Sequence, residues 1–177
     1  DIQPIEEIKM KNILLIGGSY GIGLAIAKEI ESGNNVYVAS RTNENLEDLN
    51  VTHIPFDALN DTLDLSTLPA VIDGLVYCPG SINLRPFRGL KPEAFENDLQ
   101  INFISLVKVI QSVLPNLTAS KQSSIVLFSS VAASMGMPFH TSVAASKGAI
   151  EGFAKALAAE YAPKIRVNVI APSLTDT

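Results

Sequence analysis

Residues 13–27 read ILLIGGSYGIGLAIA, a short apolar run followed by a glycine-rich segment and then by a second apolar pattern. The first run is typical of a buried strand, and the pattern from Leu24 onward is typical of a helix. Glycine permits positive φ angles and a close backbone approach, so a pyrophosphate can lie against amides at the positive end of the helix dipole. The stretch therefore predicts a strand, a turn and a helix that bind a dinucleotide.

The glycine loop, residues 17–23, has the spacing Gly-x-x-x-Gly-x-Gly rather than the general Gly-x-Gly-x-x-Gly fingerprint. A purely structural turn is therefore the alternative interpretation. The strand before the loop and the helix after it favour the dinucleotide. We expect contacts with the cofactor from Gly17, Ser19, Tyr20, Gly21, Ile22 and Gly23.

Short apolar runs alternate with longer helical patterns along the rest of the chain. Residues 13–16, 35–39, 53–56, 74–78, 124–129 and 165–170 have the apolar character of strands buried on both faces. Apolar residues recur at helical spacing over residues 99–117 and 150–161. Pro69, Pro115 and Pro163 are expected to mark connections from helix to strand. This alternation predicts a doubly wound α/β fold of Rossmann type, with a parallel sheet between two helical layers.

The composition predicts a single folded domain that acts on a small molecule. The chain has 177 residues, of which 47% are hydrophobic, and its net charge is -5 without a basic cluster, so neither nucleic acid nor an anionic membrane is an expected partner. Met10 reads as a natural start, so residues 1–9 are interpreted as a leader or extension and residues 10–177 as the domain.

Cysteine and histidine usage argues against a disulfide or metal site. Cys78 is the single cysteine, and the two histidines are far apart in the sequence. We find neither an apolar signal-peptide core nor an apolar run approaching the roughly 20 residues that span a bilayer. We expect no metal and a cytoplasmic location.

The end of the second predicted strand indicates which dinucleotide is bound. Arg41 lies about where an NAD site places an acidic residue for the ribose hydroxyls. Its guanidinium can pair with a 2′-phosphate and Ser40 can add a hydroxyl, so we expect NADP(H) to be preferred over NAD(H). Asp57, after the third strand, is a candidate for the adenine edge, with an ordinary acidic turn as the alternative.

From Met10 to Thr177 the chain resembles the short-chain dehydrogenase/reductase family. The glycine loop matches that family's loop, and further matching positions follow in the family's order. They are Asp57 on the adenine side, Gly80 after the fourth strand, Asn102 in a helix, Ser130 after the fifth strand, Ser146-Lys147, and the segment from Arg166 to Pro172.

The resemblance implies the chemistry of the site. In this family the serine positions the substrate oxygen, the lysine holds the nicotinamide ribose, and the asparagine keeps a water relay in place. These roles fall on Ser130, Lys147 and Asn102, while Gly80, Lys147, Pro172 and Thr177 join the expected cofactor contacts. The resemblance also implies a homodimer or homotetramer formed through the long helices that begin near Glu93 and Thr141.

Four departures from the family pattern qualify this expectation. Val143 stands where the family has the tyrosine that exchanges a proton with the substrate, thirteen residues after Ser130 and four before Lys147. The segment Tyr77-Cys78-Pro79 replaces Asn-Asn-Ala, so the amides that brace the sheet are missing. Ser173 replaces a glycine. The chain stops at Thr177, so the family's substrate-binding segment and last strand are absent from it.

The loss of a positioned acid typically costs about 100- to 10,000-fold in rate, whereas cofactor binding can persist. Ser142, Ser146 and His140 are candidate surrogates. Neither serine shares the helix face of Val143 and Lys147, and His140 is interpreted first as an ordinary histidine of a surface loop, with a proton donor as the alternative. The leading hypothesis is an NADP(H)-dependent oxidoreductase acting on a carbonyl or alcohol, with an atypical proton donor. The alternative is a dinucleotide-binding sensor or assembly subunit with little or no turnover.

Overall fold

The computed structural model describes residues 10–175, which form a six-stranded parallel sheet with helices on both faces. The strand order is β3-β2-β1-β4-β5-β6, and every neighbouring pair is parallel. The strands are β1 (Lys11–Ile16), β2 (Asn34–Ser40), β3 (Val51–Pro55), β4 (Gly74–Tyr77), β5 (Ser123–Phe128) and β6 (Ile165–Ile170). The predicted doubly wound fold is confirmed, while the proposed leader and Thr177 lie outside the described residues.

Five α-helices connect the strands within the described chain. They are α1 (Gly21–Ile30), α2 (Pro92–Leu99), α3 (Ser105–Ala119), α4 (Val131–Met135) and α5 (Thr141–Tyr161), and a π-helical segment (Gln100–Ile104) joins α2 to α3. Short 3-10 turns lie at Glu44–Leu46 and Phe87–Gly89.

Alternation along the strands separates the two layers of the core. Leu14 of β1 belongs to the larger apolar cluster, together with buried residues of α3 and α5. Its neighbour Leu15 belongs to the second cluster, which contains Ala27 of α1. Because successive side chains of a strand point to opposite faces, one strand contributes to both layers. This is the physical origin of the three-layer arrangement.

The observed strands differ from the predicted runs by at most two residues at each end. Lys11 and Asn12 extend β1 at its amino end, where they pair in register with Asn34 and Asn35 of β2. Main-chain pairing at the rim of a sheet does not require apolar side chains, so hydrophobicity alone misses these residues.

The prediction that Pro69 and Pro115 mark connections from helix to strand is wrong. Among the described residues no helix lies between β3 and β4, so Pro69 follows turns rather than a helix. Pro115 lies inside α3, which continues to Ala119. The turn that contains it is fastened from both sides. Val113 and Leu117 are fully buried, and the Asn116 amide donates to the carbonyl of Pro69 at 2.7 Å. These contacts offset the hydrogen bond that proline cannot make.

The helical stretch Pro92–Ala119 is long and apolar enough, by length and composition, to cross a membrane. The apolar runs of the sequence do not predict such a stretch. Its apolar residues are already used within the protein. Leu106, Ile110, Val113 and Leu117 are buried in the larger core cluster against the sheet. The stretch is therefore explained as a core helix, which passes the same test.

Candidate cofactor and catalytic site

The site lies at the carboxyl ends of the strands, where the strand order reverses between β1 and β4. Parallel α/β sheets bind ligands at this topological switch point. A cleft of about 660 Å³ opens there. Ten of the predicted cofactor residues line it together: Gly17, Ser19, Tyr20, Gly21, Ile22, Gly23, Ser40, Arg41, Asp57 and Gly80.

The backbone of the glycine loop has the geometry that its sequence predicts. Gly17 and Gly21 have φ angles of +78° and +54°, in the region that favours glycine. A Cβ atom on Gly23 would lie 2.1 Å from the carbonyl oxygen of Gly17, so no side chain fits there. Helix α1 therefore begins directly against the loop.

The amino end of α1 has neither a side-chain cap nor an acidic side chain in its first turn. Its N-cap residue, Tyr20, makes no capping hydrogen bond, and the first turn contains no acidic residue. The first amides of a helix have no partner within the helix, and the helix dipole adds positive potential there. The residues present thus fit a pyrophosphate, which could accept hydrogen bonds from these amides.

Polar contacts tie the glycine loop to the end of β2. Thr42 donates to the Ser19 hydroxyl at 3.3 Å, and the Asn45 amide donates to the Ser19 carbonyl at 3.0 Å. The Ser40 hydroxyl donates to the Thr42 carbonyl at 2.8 Å and lies 3.1 Å from Nε2 of His53. Ser40 is thus buried and already hydrogen-bonded, whereas Arg41 is exposed on the wall of the cleft.

The surroundings of Asp57 are compatible with both interpretations of its position, namely an acidic turn and a contact with the adenine edge. One carboxylate oxygen accepts from the Leu59 amide at 2.9 Å and the other from the Asn60 side chain at 3.1 Å, which forms an acidic turn. The residue is half-buried and lines the cleft. Because each carboxylate oxygen has more than one lone pair, these bonds leave capacity for a ligand.

Asn102 lies in the π-helical segment and is fully buried. Its Oδ1 accepts from the Ser81 amide at 2.9 Å, and its Nδ2 donates to the Ser81 carbonyl at 3.3 Å. The same Nδ2 donates to the Ser146 hydroxyl of α5 at 2.8 Å. Segments of π-helix occur frequently at functional sites, and this one fastens α5 and the loop after β4 to a single amide.

Lys147 approaches the cleft from α5 behind Gly80. A Cβ atom on Gly80 would lie 3.4 Å from Asn102 Oδ1 and 3.5 Å from Lys147 Nζ, at ordinary contact distance, so Gly80 lies directly beside both groups. The Lys147 ammonium donates to the Phe128 carbonyl at 2.9 Å and is only 8% exposed. Burial lowers the Lys147 pKa to about 8, against the influence of the thiol of Cys78 and the carboxylate of Asp98.

The segment that replaces Asn-Asn-Ala provides a brace of its own. Tyr77 is buried, and its hydroxyl donates to the Ile101 carbonyl at 2.7 Å. Burial raises the pKa of Tyr77, so this phenol stays neutral. Burial likewise raises the pKa of the neighbouring Cys78 thiol to about 12. A phenol thus joins β4 to the π-helical segment, a role that the expected loss of the bracing amides did not foresee.

Ser130 has a structural role at its position after β5. Its hydroxyl oxygen accepts from the Ala132 amide at 3.2 Å and caps α4. Capping uses a lone pair, so the hydroxyl proton remains able to donate to another oxygen.

Val143 is buried on α5, with 4% of its side chain exposed. The three candidate proton donors, Ser146, Ser142 and His140, have different surroundings. The Ser146 hydroxyl donates to the Val143 carbonyl at 3.1 Å and accepts from Asn102, and Ser142 is buried without a hydrogen-bond partner among the described residues. His140 precedes α5, with Nδ1 lying 2.7 Å from the Pro138 carbonyl. Ser146 and His140 are thus already engaged with groups of the protein itself.

Three predicted cofactor residues are not among the described residues that line the cleft. Lys147 lies next to Gly80 but is not part of the lining. Pro172 lies after β6, where its carbonyl accepts from the Val131 amide at 3.2 Å, and it is not among the described residues that line the cleft. Thr177 lies outside the described residues. Sequence reasoning missed seven lining residues, although each lies near a predicted contact or at a strand end. They are Ala39, Phe56, Ala58, Cys78, Pro79, Ser81 and Ile101.

The fold and the cleft define a dinucleotide-binding α/β domain, and comparison with known proteins identifies its family. The family model described as short chain dehydrogenase matches residues 11–177. A 3-oxoacyl-acyl-carrier-protein reductase from Buchnera aphidicola is 31% identical over 94% of this chain and 74% of its own length. L-xylulose reductase from Bos taurus is 29% identical over 94% of this chain and 72% of its own length.

Solved structures agree with this assignment. A short chain dehydrogenase from Escherichia coli, crystallised with NADPH, has a TM-score of 0.85 and 26% sequence identity, over 92% of this chain and 76% of that one. The protein therefore belongs to the short-chain dehydrogenase/reductase family, whose members are oxidoreductases that bind NAD(P).

Proposed function

We propose that this protein is an NADP(H)-dependent oxidoreductase that transfers hydride to or from a small carbonyl or alcohol substrate. The observation that carries the proposal is the continuity of the cleft. It runs from Arg41 across the uncapped first turn of α1 to Gly80, behind which lie Asn102 and Lys147. This order suits a molecule with a phosphorylated ribose at one end and a second ribose at the other.

The preference for NADP(H) rests on Arg41. Its side chain is exposed on the cleft wall, and the fork of donors in a guanidinium matches a phosphate. Because the Ser40 hydroxyl already donates to the Thr42 carbonyl, Arg41 carries the discrimination. The NADPH-bound Escherichia coli relative supports the same preference.

The proposed roles follow the groups that each side chain presents. When bound, the nicotinamide supplies or accepts the hydride. Lys147 donates hydrogen bonds to the ribose hydroxyls, and Ser130 donates to the substrate oxygen. Asn102 holds Ser81 and Ser146 in place through hydrogen bonds to the Ser81 amide and the Ser146 hydroxyl. We assign proton exchange to solvent or to an unidentified group, since the Val143 side chain is a hydrocarbon.

Titration with each cofactor tests the preference. We expect NADPH to give a larger fluorescence change and a lower Kd than NADH. We expect Arg41→Ala to weaken NADPH binding by roughly 10- to 100-fold, because a charge-assisted hydrogen bond contributes about 1.5–3 kcal/mol. Arg88→Ala removes an exposed arginine that does not line the cleft and serves as the control. Tighter binding of NADH by the wild-type protein contradicts the assignment of Arg41.

A second function is favoured by the surroundings of Val143. The Val143 side chain is buried, and the Ser146 hydroxyl is bound to Asn102. These features suit a dinucleotide-binding sensor or assembly subunit with little or no turnover. Cofactor binding would then change an interaction rather than drive a reaction.

Restoring a phenol separates the two functions. Val143→Tyr is assayed against a panel of carbonyls, with Val143→Phe as the matched control that adds the ring without the hydroxyl. A gain of about 100-fold or more from near zero in the tyrosine variant alone favours the sensor. Appreciable wild-type turnover favours the enzyme, and its loss in His140→Ala would identify His140 as the proton donor.

We further propose a homodimer or homotetramer in the cytoplasm, with no nucleic-acid or membrane partner. The support for an assembly is partial exposure on the long helices: Phe103, in the π-helical segment, and Phe153, on α5, are both only partly buried. Light scattering after size exclusion measures the assembly directly, and a monomer at all concentrations contradicts it.

A further inference from the structure

Asp98 is a buried carboxylate that the roles described above do not use. It lies near the end of α2 and has no exposed surface, whereas Glu93 and Glu96 on the same helix are exposed. Removing a carboxylate from water costs several kcal/mol unless hydrogen bonds and charges compensate for it. A carboxylate at an interior position of an amphipathic helix therefore requires an explanation from its surroundings.

Only one oxygen of this carboxylate is hydrogen-bonded within the described structure. Oδ1 accepts from the Ser81 hydroxyl at 2.5 Å and from the Asn83 amide at 3.0 Å. Oδ2 is buried and has no hydrogen-bond partner among the described residues. The two bonds to Oδ1 hold the loop after β4, and Ser81 of that loop lines the cofactor cleft.

Ser81 is thereby held at three points. Its amide and carbonyl are bound by Asn102, and its hydroxyl donates to Asp98. Asp98 and Asn102 are one helical turn apart in the chain, so α2 and the π-helical segment together clamp the loop. The clamp fixes Gly80 beside Lys147 Nζ.

Asp98 also influences Lys147 electrically. Burial lowers the Lys147 pKa, and first Cys78 and then the Asp98 carboxylate oppose that fall. Burial raises the pKa of the Cys78 thiol to about 12, so the thiol is neutral at physiological pH and the negative charge comes from Asp98. Burial also raises the pKa of Tyr77, which stays neutral. Glu151, a turn further along α5, accepts a hydrogen bond from Ser129.

We propose that Asp98 is a positioning residue of the cofactor site: it clamps the wall at Gly80 and Ser81, and its charge stabilises the Lys147 ammonium. The role rests on the proposed function, since the ammonium is meant for the hydroxyls of a bound dinucleotide. The clamp and the charge are separable, because the substitution Asp98→Asn keeps a side-chain carbonyl that can accept the hydrogen bonds now made to Oδ1, while it removes the negative charge.

The test measures Lys147 directly in the cofactor-free protein. Lysine side chains are labelled for NMR, Lys147 is assigned from the signal missing in Lys147→Met, and its titration is followed from pH 6 to 10. In Asp98→Asn the titration midpoint should move to lower pH by about half to one pH unit. Asn83→Ala, which loses a clamp bond and keeps the charge, and Glu96→Gln, the exposed control, should leave the midpoint in place.

Cofactor binding provides the second readout. Asp98→Asn should raise the Kd for NADPH about 2- to 5-fold near pH 8 and much less at pH 6, because Lys147 is protonated in both proteins at the lower pH. A purely structural role would weaken binding equally at every pH and would leave the Lys147 midpoint unchanged.

These outcomes separate the inference from the proposed function. An unchanged midpoint in Asp98→Asn overturns the role of Asp98, even if NADPH binds. Failure of the wild-type protein to bind either cofactor overturns the proposed function, while the titration still decides whether Asp98 stabilises the ammonium. If Asp98→Asn does not fold, Asp98→Ser, which is also neutral and leaves room for water, is measured in the same way.

Discussion

The proposed site has two halves, which are built by different means. The adenosine half, formed by the glycine loop, Arg41 and Asp57, lines the cleft and depends largely on backbone: two positive φ angles, a missing Cβ at Gly23 and uncapped amides. The proposed reaction half consists of Asn102, Ser130, Val143 and Lys147, which are not among the described residues that line the cleft, and it depends on side chains. The first half has backbone features that suit a dinucleotide, whereas Val143 presents no hydroxyl in the second.

Under the proposed function, cofactor binding and proton transfer would therefore depend on different parts of the chain. The glycine loop is tied to the start of α1 and to the segment after β2, and neither contact involves α5. Proton transfer would depend on a side chain, and that of Val143 is a hydrocarbon. The following experiments disturb first the backbone half, then the side-chain half, and finally the contact between them.

The largest effect is expected from Gly23→Ala. The added Cβ would lie 2.1 Å from the Gly17 carbonyl oxygen, so the loop must move. We expect a loss of about 3 kcal/mol in the free energy of unfolding, measured by urea denaturation, and a loss of NADPH binding by titration.

The matched control for this variant is Gly152→Ala in α5. No atom lies within 4 Å of its added Cβ, and alanine favours a helix over glycine by up to about 1 kcal/mol. This variant should therefore be as stable as the wild-type protein or more so. If Gly23→Ala binds NADPH normally, the adenosine half is not set by the close approach at Gly23.

An intermediate effect is expected from Lys147→Met, which should make the fold more stable and the binding of NADPH weaker. Replacing a buried ammonium by an apolar side chain should stabilise the fold at pH 7 by about 1–3 kcal/mol, or roughly 2–4 °C in Tm per kcal/mol. NADPH affinity should fall about tenfold, because the donors to the ribose are lost. Lys155→Met, an exposed change on the same helix, is the control.

The sign of the pH dependence follows from the lowered pKa. Burial lowers the Lys147 pKa from 10.5 to about 8, so between these values the unfolded chain binds more protons than the folded protein. The stability of the wild-type protein therefore rises across this window relative to the variant. The advantage of Lys147→Met should be full below pH 8 and shrink toward pH 10.5. An advantage that is constant with pH contradicts a buried ammonium.

The smallest effect is expected from Tyr77→Phe, which breaks the brace between β4 and the π-helical segment. The Ile101 carbonyl loses the hydroxyl that lies at 2.7 Å, which should cost about 1–2 kcal/mol of stability by thermal denaturation. NADPH binding should weaken only slightly, because Asn102 keeps its own bonds. Tyr161→Phe, in a partly buried tyrosine at the end of α5, is the control and should be nearly neutral.

The sequence predicts the adenosine half of the cleft closely. The glycine loop, Arg41 and Asp57 were expected from residue types at strand ends, and the structure brings them together. This works because such motifs are local and each strand end reaches the same edge of the sheet. The same reasoning failed for Pro115, because burial of Val113 and Leu117 outweighs the preference of proline.

The contacts of the reaction half could not be predicted from the sequence. The clamp on Ser81, the capping role of Ser130 and the brace from Tyr77 join residues that are distant in the chain or have several ordinary roles. Asp98 in particular reads as one more acid on a polar helix. Its burial depends on which face of α2 packs inward, a property of the assembled layers.

Residue types and their spacing are enough to predict the order of strands and helices, the conformation of the glycine loop and the absence of an acid at Val143. These properties depend on local preferences and on the identity of single residues. Which polar groups are removed from water is known only once the chain has folded, and with it the low pKa of Lys147 and the environment of Asp98. The reason is that burial and the strength of charge interactions depend on neighbours brought together only by folding.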